Sequence, residues 1–226
     1  MKTLSKAVAV ASLLSAGVMS ANMASAEVAF NASLVSDYVF RGASYTGNGA
    51  ALQGGADYSH ESGAYAGTWL SNTETEDSDG EIQDDVEFDL YAGYWMEVGE
   101  FEIDLAYLTY NYADADDWNT TELFASITTA GITASVYQDI DAANTTYLGL
   151  AYSTELPQEL SLDVAVGHTL DGKVDGEAVW GEDFTDLSAS VGKSFDIVDV
   201  ALTVTNVNYA DAEDDTLVFL TASTEF

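Results

Sequence analysis

The feature that most constrains this chain is a period of two in its hydrophobic pattern. In the run 101–107, apolar residues take the odd positions, and Glu102, Asp104 and Ala106 take the even ones. Similar alternation runs through 86–97, 160–167 and 198–205, and no helical stripe is convincing after residue 26. Successive side chains of a strand point to opposite faces, so each run predicts a strand with one apolar and one polar face.

Marking every such run predicts about twelve strands. They lie near residues 28–40, 50–60, 64–72, 85–96, 101–111, 119–129, 131–139, 144–154, 159–169, 183–193, 198–208 and 215–226. The connections between them alternate between short and long, as in outer-membrane barrels, and strands of about ten residues can span a tilted path across a bilayer. We therefore predict an all-β fold: a single antiparallel up-and-down transmembrane β-barrel that occupies residues 27–226. The register of the strand near 64–72 is ambiguous, because Tyr65 and Trp69 compete with Ala66 and Leu70 for its apolar face.

Residues 1–26 have the layout of a cleaved signal peptide. Lys2 and Lys6 precede the apolar run 7–18, and Ala24-Ser25-Ala26 offers a small-x-small cleavage site. The run is shorter than the roughly 20 apolar residues that a membrane-spanning helix needs. A buried N-terminal helix is the alternative. Export without any cysteine favours a bacterial envelope, and the strand pattern places the barrel in the bacterial outer membrane.

Composition excludes several functions. With 39 acidic and 5 basic residues, the formal net charge of −34 excludes nucleic-acid binding by phosphate neutralisation. Zero cysteines exclude thiolate metal sites and cysteine nucleophiles. The two histidines, His60 and His168, fit no serine–histidine–acid pattern, so we expect no enzyme, no cofactor and no metal site. The acidic stretches 77–80 and 171–177 leave a calcium site open, although neither completes an EF-hand loop.

The chain ends on an alternating strand with a terminal Phe226, which resembles the assembly signal of bacterial outer-membrane barrels. We therefore expect the barrel-assembly machinery and outer-membrane lipids as partners. Aromatic residues near the predicted strand ends fit the two interfacial girdles of such barrels. These residues are Tyr38, Phe40, Tyr58, Tyr94, Trp95, Tyr107, Tyr110, Tyr112, Trp118, Tyr152 and Phe226.

The first half of the chain also resembles a known family. The stretches 35–42 (Val-Ser-Asp-Tyr-Val-Phe-Arg-Gly), 51–60 and 63–69 are similar to the opening of the TorF family of proposed porins, a group formerly called conserved hypothetical proteins. The similarity continues through 87–94. In the second half of the chain it is limited mainly to the sequence pattern. The family's Tyr-Pro-Gly-like element after the fifth strand is Asn111-Tyr112-Ala113 here. The resemblance implies an outer-membrane barrel and brings neither a substrate nor catalytic residues.

If the apolar positions face lipid, the opposite positions place charged residues in the lumen. The predicted pore-lining residues are Asp37, Arg41, Asp57, Glu87, Asp89, Glu102, Asp104, Glu122, Asp163 and Asp186. In a dry interior the acids would repel one another, with Arg41, at the end of the first predicted strand, as the one counter-charge among the predicted pore-lining residues, whereas water would screen them. The prediction is therefore a narrow, water-filled porin for passive diffusion of small solutes, in which fixed carboxylates favour small cations or polar solutes.

Three alternatives stay open at this point. The barrel could be closed and non-conducting, with a structural or surface-interaction role. It could be an outer-membrane enzyme, for which the chain offers no defensible nucleophile and base. It could also be a soluble periplasmic barrel, with the apolar positions inside.

Overall fold

In the computed structural model, twelve long strands form one closed barrel. The structure describes residues 26–76, 80–141, 144–174, 177–178, 183–208 and 215–226, so all of the predicted signal peptide except Ala26 lies outside the described residues. The strands are β1 (Glu27–Val35), β2 (Ala51–Ser59), β3 (Ala64–Glu76), β4 (Ile82–Val98), β5 (Phe101–Tyr112), β6 (Thr120–Thr129), β7 (Ile132–Asp139), β8 (Thr146–Leu156), β9 (Leu160–Leu170), β10 (Phe184–Phe195), β11 (Val198–Asn208) and β12 (Asp215–Glu225).

Every barrel strand pairs antiparallel with its neighbours in sequence, and β1 pairs with β12 to close the sheet. Two ladders of two residues per strand lie outside the barrel order, Val39–Phe40 with Ala43–Ser44 and Lys173–Val174 with Glu177–Ala178. A single 3-10 turn spans Asp116–Trp118 in the described part of the chain. The predicted fold, an up-and-down barrel of twelve strands, is confirmed.

No helix among the described residues is long and apolar enough to cross a membrane.

The seam between the first and last strands is closed at both of its ends. Phe30 and Phe226 exchange two backbone hydrogen bonds of 2.9 Å, and their rings stack with centroids 6.2 Å apart. Beyond the other end of the ladder, Ser36 donates its N–H to the Leu220 carbonyl and accepts the Leu220 N–H through its hydroxyl, both at 2.9 Å. Phe226 therefore stabilises the seam, while recognition by the assembly machinery stays a prediction.

The two faces of the barrel have opposite character. Large apolar side chains stand on the outside, with Leu52 68% and Val218 64% exposed, whereas Glu87 and Thr203 on the inside are 1% and 0% exposed. A soluble protein buries its apolar side chains and exposes its charges, so this arrangement is inverted. An apolar band around a polar interior is typical of a barrel that has lipid around it.

The short and the long connections between strands lie at opposite ends of the barrel, as predicted. Five short turns and the two ends of the barrel chain lie at one rim, which we call the turn end, and the turns cover residues 60–63, 99–100, 130–131, 157–159 and 196–197. Gly63, Gly99 and Gly131 have positive φ there, a conformation that glycine adopts at little cost. The longer connections lie at the opposite rim, the loop end, and the first of them is residues 36–50.

Three strands differ from their predicted bounds. β1 ends at Val35 instead of residue 40, because the chain turns inward at Ser36. The β3–β4 hairpin continues past the predicted bounds to the Glu76–Ile82 pair, so this wall stands taller at the loop end. The ambiguous register of β3 resolves with Tyr65 buried inside the barrel and Leu70 exposed outside.

Candidate functional site

The segment 36–50, here called the first loop, lies inside the barrel and crosses its interior. Val39 packs against Leu217 and Phe219 of β12. A Cβ on Gly42, which has φ +83°, would lie 2.8 Å from the Cβ of Val207 in β11, so the backbone approaches that wall closely. Leu217 and Phe219 are apolar residues on the inner face, and the first loop gives them a buried partner.

On the opposite side the first loop is attached through a chain of aromatic rings. Tyr38 packs against Trp69 of β3 with centroids 5.4 Å apart, and against Tyr45 at 5.5 Å. Phe40 continues the chain to Tyr45 at 5.6 Å and to Tyr110 of β5 at 5.9 Å. Edge and tilted contacts at these distances are the favourable geometries for aromatic pairs. The first loop is therefore held between two walls of the barrel.

Asp37 lies in the first loop and not in a strand. Its hydrogen bonds stabilise the conformation of that loop. Its carboxylate accepts hydrogen bonds from Ser44 Oγ at 2.6 Å and Thr46 Oγ1 at 3.2 Å, and the residue is buried. Thr46 Oγ1 also accepts the Tyr38 N–H at 3.0 Å. The expectation that Asp37 lies on the first strand, with Arg41 at its end, is wrong, because the strand ends at Val35 and the chain turns inward as a loop.

Arg41 of the first loop forms an ion pair with the barrel wall. Its two terminal nitrogens donate to Glu122 of β6 at 2.8 and 2.9 Å, and the two side chains are 12% and 4% exposed. The guanidinium carbon lies 4.7 Å from the centroid of Phe40, 5.1 Å from that of Tyr137 and 4.4 Å from that of Tyr147. Burial lowers the pKa of Arg41, but the charge and hydrogen bonds of Glu122, together with Tyr110 and Tyr137, raise that pKa by more, so Arg41 stays charged.

At least four of the described inner-wall carboxylates accept a hydrogen bond from a tyrosine hydroxyl. These tyrosine–carboxylate pairs are Tyr91–Asp57, Tyr65–Asp104 at 2.8 Å, Tyr110–Glu122 at 2.9 Å and Tyr147–Asp186 at 3.3 Å. Each pair joins two strands of the same wall: Tyr110 and Glu122 lie on adjacent strands, and each of the other three pairs spans one intervening strand. The hydroxyls satisfy part of the carboxylates' hydrogen-bonding capacity without adding positive charge, so the wall keeps its acidic character.

The remaining predicted pore-lining residues differ in how deeply their side chains are buried. Glu87, Asp89 and Asp163 occupy inner-face positions, and each has one buried carboxylate oxygen without a hydrogen-bond partner. Asp186 also has one such oxygen. Glu102 lies at the turn end of β5 and is exposed. Eight of the ten predicted residues thus sit at inner-face positions of strands, while Asp37 and Arg41 reach the interior through the first loop.

Basic groups are scarce in the interior. Among the side chains that the structure describes, Arg41 is the one basic group inside the barrel. Lys193 lies at the turn end, where its Nζ donates to the Gln158 carbonyl at 3.0 Å and faces the Phe195 ring at 5.8 Å. The electrostatic character of the described interior is therefore set by carboxylates.

Sequence reasoning missed two buried acids at the loop end. One oxygen of Asp85 accepts the backbone N–H groups of Val86, Ala113 and Asp114 at 2.7 to 3.1 Å. Asp139 accepts Thr120 Oγ1 at 2.9 Å and the Asp141 N–H at 2.8 Å. Both anchor loops to strands. Asp85 shares the odd-numbered face of Glu87 and Asp89, a signal that was present in the sequence.

Sequence reasoning also missed the aromatic part of the interior. A buried cluster lines one side of the barrel: Tyr65, Ala106, Leu108, Phe124, Tyr137 and Tyr147. Five residues predicted for the interfacial girdles lie inside instead: Tyr38, Phe40, Trp95, Tyr110 and Tyr112. Tyr58, Tyr94, Tyr107, Trp118, Tyr152 and Phe226 are exposed, as a girdle requires.

Neither histidine belongs to a catalytic arrangement in the described structure. His60 Nδ1 contacts Ser62 Oγ and His168 Nδ1 contacts Thr185 Oγ1, both at 2.9 Å. No group of three or more acidic or histidine residues among those described could hold a metal ion. The calcium candidate at 77–80 lies outside the described residues except for Gly80, and that at 171–177 lies partly outside them.

The closed strand order, the apolar outside and the polar inside define a porin-like β-barrel. The chain belongs to the Gcw_chp family, described as bacterial proteins of unknown function, which matches residues 20–225. None of these findings bears on the name TorF, which stays a prediction. A search of curated proteins finds no match.

Two of the solved structures with a similar fold are structures of the KdgM porin. The KdgM porin is 8% identical, with a TM-score of 0.55, over 88% of this chain and 98% of that chain. The KdgM porin in complex with disordered oligogalacturonate is 6% identical, with a TM-score of 0.51, over 88% and 97%. OccK1 (OpdK) of Pseudomonas aeruginosa is 11% identical, with a TM-score of 0.44, over 78% of this chain and 56% of that chain. At these identities, the KdgM similarity shows the fold alone.

Proposed function

We propose that this protein is an outer-membrane porin for passive diffusion of small solutes, with an acidic lumen that prefers cations. The observation that carries the proposal is the charge of the described interior. Carboxylates from β2, β4, β5, β6, β9 and β10 face inward, and Arg41 is the one described basic group among them. Fixed carboxylates along a lumen attract cations and repel anions.

The outer surface supports the location in the bacterial outer membrane. Apolar side chains on β2, β11 and β12, such as Leu52, Leu202 and Val218, are more than half exposed. A band of this kind on a water-soluble protein would be an association liability, whereas lipid covers it at no cost. Lipids of that membrane are then direct partners. Cleavage after residue 26 and delivery by the assembly machinery through the Phe226 strand complete the proposal.

The first loop sets the narrowest part of the proposed path. It joins β3 and β5 through the rings of Tyr38 and Phe40, and β12 through Val39. A solute must pass beside this loop and beside the inner-wall carboxylates. Small ions and small polar molecules fit such a path better than large solutes do.

The test is ion selectivity of the refolded protein in planar bilayers. Under a KCl gradient we expect a reversal potential of the sign that K⁺ selectivity gives. Asp89→Asn and Asp163→Asn should each reduce it, because each removes one inner-wall charge. Glu61→Gln makes the same charge change at the exposed turn between β2 and β3, and should leave it unchanged. Anion preference, or equal effects of all three substitutions, contradicts the cation-selective lumen.

A non-conducting structural barrel is the second candidate, and the packing of the first loop across the interior favours it. The same bilayer recordings separate the two functions. Absence of conductance in the wild type and in an Arg41→Ala variant would reject the porin and leave the structural role. Conductance in either would show a path through the barrel.

A further inference from the structure

The contacts of Arg41 describe a binding site for a planar cation. Glu122 accepts two hydrogen bonds from the guanidinium, and the rings of Tyr137 and Tyr147 lie within 5.1 Å and 4.4 Å of its central carbon. Those three residues belong to β6, β7 and β8, so the barrel wall supplies them. We call Glu122, Tyr137, Tyr147 and the neighbouring Asp186 the guanidinium cage.

The wall holds the cage in place through contacts that do not involve Arg41. Tyr110 donates to the second oxygen of Glu122 at 2.9 Å, and Tyr147 donates to Asp186 at 3.3 Å. The ring of Tyr137 packs against Phe124 at 4.5 Å and against Tyr147 at 6.0 Å. A site that is organised before its occupant arrives loses less free energy on binding.

The cage also has binding capacity that Arg41 does not use. Asp186 is 2% exposed, and its Oδ2 has no hydrogen-bond partner. This oxygen lies on the side of Gly167, where a Cβ would come within 2.4 Å of it. An occupant larger than the Arg41 head group would have to reach that side of the cage to donate an N–H to it.

We propose that the guanidinium cage is a solute-binding site for organic cations that carry a guanidinium group, with Arg41 as its tethered occupant. The inference rests on the proposed porin function, because the solute reaches the cage through the lumen. A guanidinium presents two parallel N–H groups to one carboxylate and stacks on aromatic rings, and a primary ammonium does neither. Exchange occurs when the solute replaces the Arg41 side chain on Glu122.

The experiment removes the tethered occupant and offers a free one. Full-length protein carrying Arg41→Ala is refolded in detergent and titrated with methylguanidinium and, separately, with methylammonium, by calorimetry. We expect methylguanidinium to bind with a dissociation constant at least about tenfold lower than that of methylammonium. The wild type should bind methylguanidinium at least about tenfold more weakly than Arg41→Ala does, because the tethered group competes at a millimolar effective concentration or above.

Two further variants identify the site. Arg41→Ala with Glu122→Gln should bind methylguanidinium at least about tenfold more weakly than Arg41→Ala alone. Arg41→Ala with Glu61→Gln changes an exposed turn instead and should bind as Arg41→Ala does. Equal binding of the two cations, or no effect of Glu122→Gln, would overturn the proposal.

If Arg41→Ala does not refold, a second variant tests the same proposal. Arg41→Lys keeps the charge and loses the two-pronged geometry, so it should melt at a lower temperature than the wild type. Methylguanidinium should raise that temperature, and methylammonium should not; no rise rejects the cage. Binding in detergent does not depend on conductance. An absence of conductance in bilayers would therefore reject the porin function and leave the binding result standing. An absence of binding would reject the cage and leave the porin function standing.

Discussion

Arg41 in the first loop and Glu122 in β6, 81 residues apart, meet inside the barrel through two hydrogen bonds of 2.8 and 2.9 Å. The pair links the loop to the wall at a depth where both side chains are nearly excluded from solvent. Removing one member of a buried pair costs more than the pair contributes, because the other charge stays buried without compensation. Substituting one member of the pair therefore tests how strongly this contact holds the first loop against the wall.

We predict that Glu122→Gln lowers the free energy of unfolding by about 3 kcal/mol, because Arg41 then has no charged partner. Urea unfolding in detergent micelles, followed by tryptophan fluorescence, measures the change. Glu61→Gln at the exposed turn is the matched control and should stay within about 0.5 kcal/mol of the wild type. Equal stability of the two variants would show that the loop is not held by this pair.

A second prediction concerns the close approach of Tyr91 to Gly67. The two residues face each other across β3 and β4, and a Cβ on Gly67 would lie 2.5 Å from Cε2, Cζ and Oη of Tyr91. Gly67→Ala should therefore destabilise the barrel by about 1–3 kcal/mol through overpacking.

The control for that prediction removes the ring. Tyr91→Ala leaves space beside residue 67, so the double variant should lose less stability than the sum of the two single losses. Chemical unfolding of the three variants gives the coupling free energy. Strictly additive losses would mean that the ring does not restrict residue 67.

The twelve strands were predictable because one period, two, recurs through the whole chain and separates apolar from polar residues. Loop positions inside the barrel were not. Val35, Asp37, Val39 and Arg41 continue the alternation of β1, so the pattern carries the predicted strand past the residue where the chain turns inward. The turn is fixed by contacts with β11 and β12, which are distant in sequence.

The aromatic interior could not be predicted for a related reason. A tyrosine has an apolar ring and a polar hydroxyl, so it suits both a membrane interface and a lumen carboxylate. Tyr107 and Tyr110 lie three residues apart on opposite faces, and the first is exposed while the second bonds to Glu122. The face of the strand decides between these outcomes, and an aromatic residue near a strand end suits either face.

A third prediction tests the assignment of the outer face to lipid. Leu202 stands near the middle of β11, 52% exposed, and Leu202→Arg should cost about 2–4 kcal/mol in folding free energy in lipid vesicles. Ile197, in the turn between β10 and β11, is 75% exposed, and Ile197→Arg should cost no more than about 1 kcal/mol. A cost that does not depend on depth would place the apolar band outside the bilayer.

The last prediction concerns conduction past the first loop. Arg41→Ala removes the one described basic group of the interior together with the side chain that joins the loop to β6. Single-channel conductance should rise, and the reversal potential under a KCl gradient should move further toward the K⁺ value, because the carboxylates of the wall are less compensated. Both effects should be smaller in 1 M than in 0.1 M KCl, since the screening length falls from about 10 Å to about 3 Å. Lys193→Ala removes the same charge at the turn end, away from the first loop, and is the matched control. If the two variants conduct alike, Arg41 does not govern the path, and the narrowest point must be sought elsewhere in the barrel.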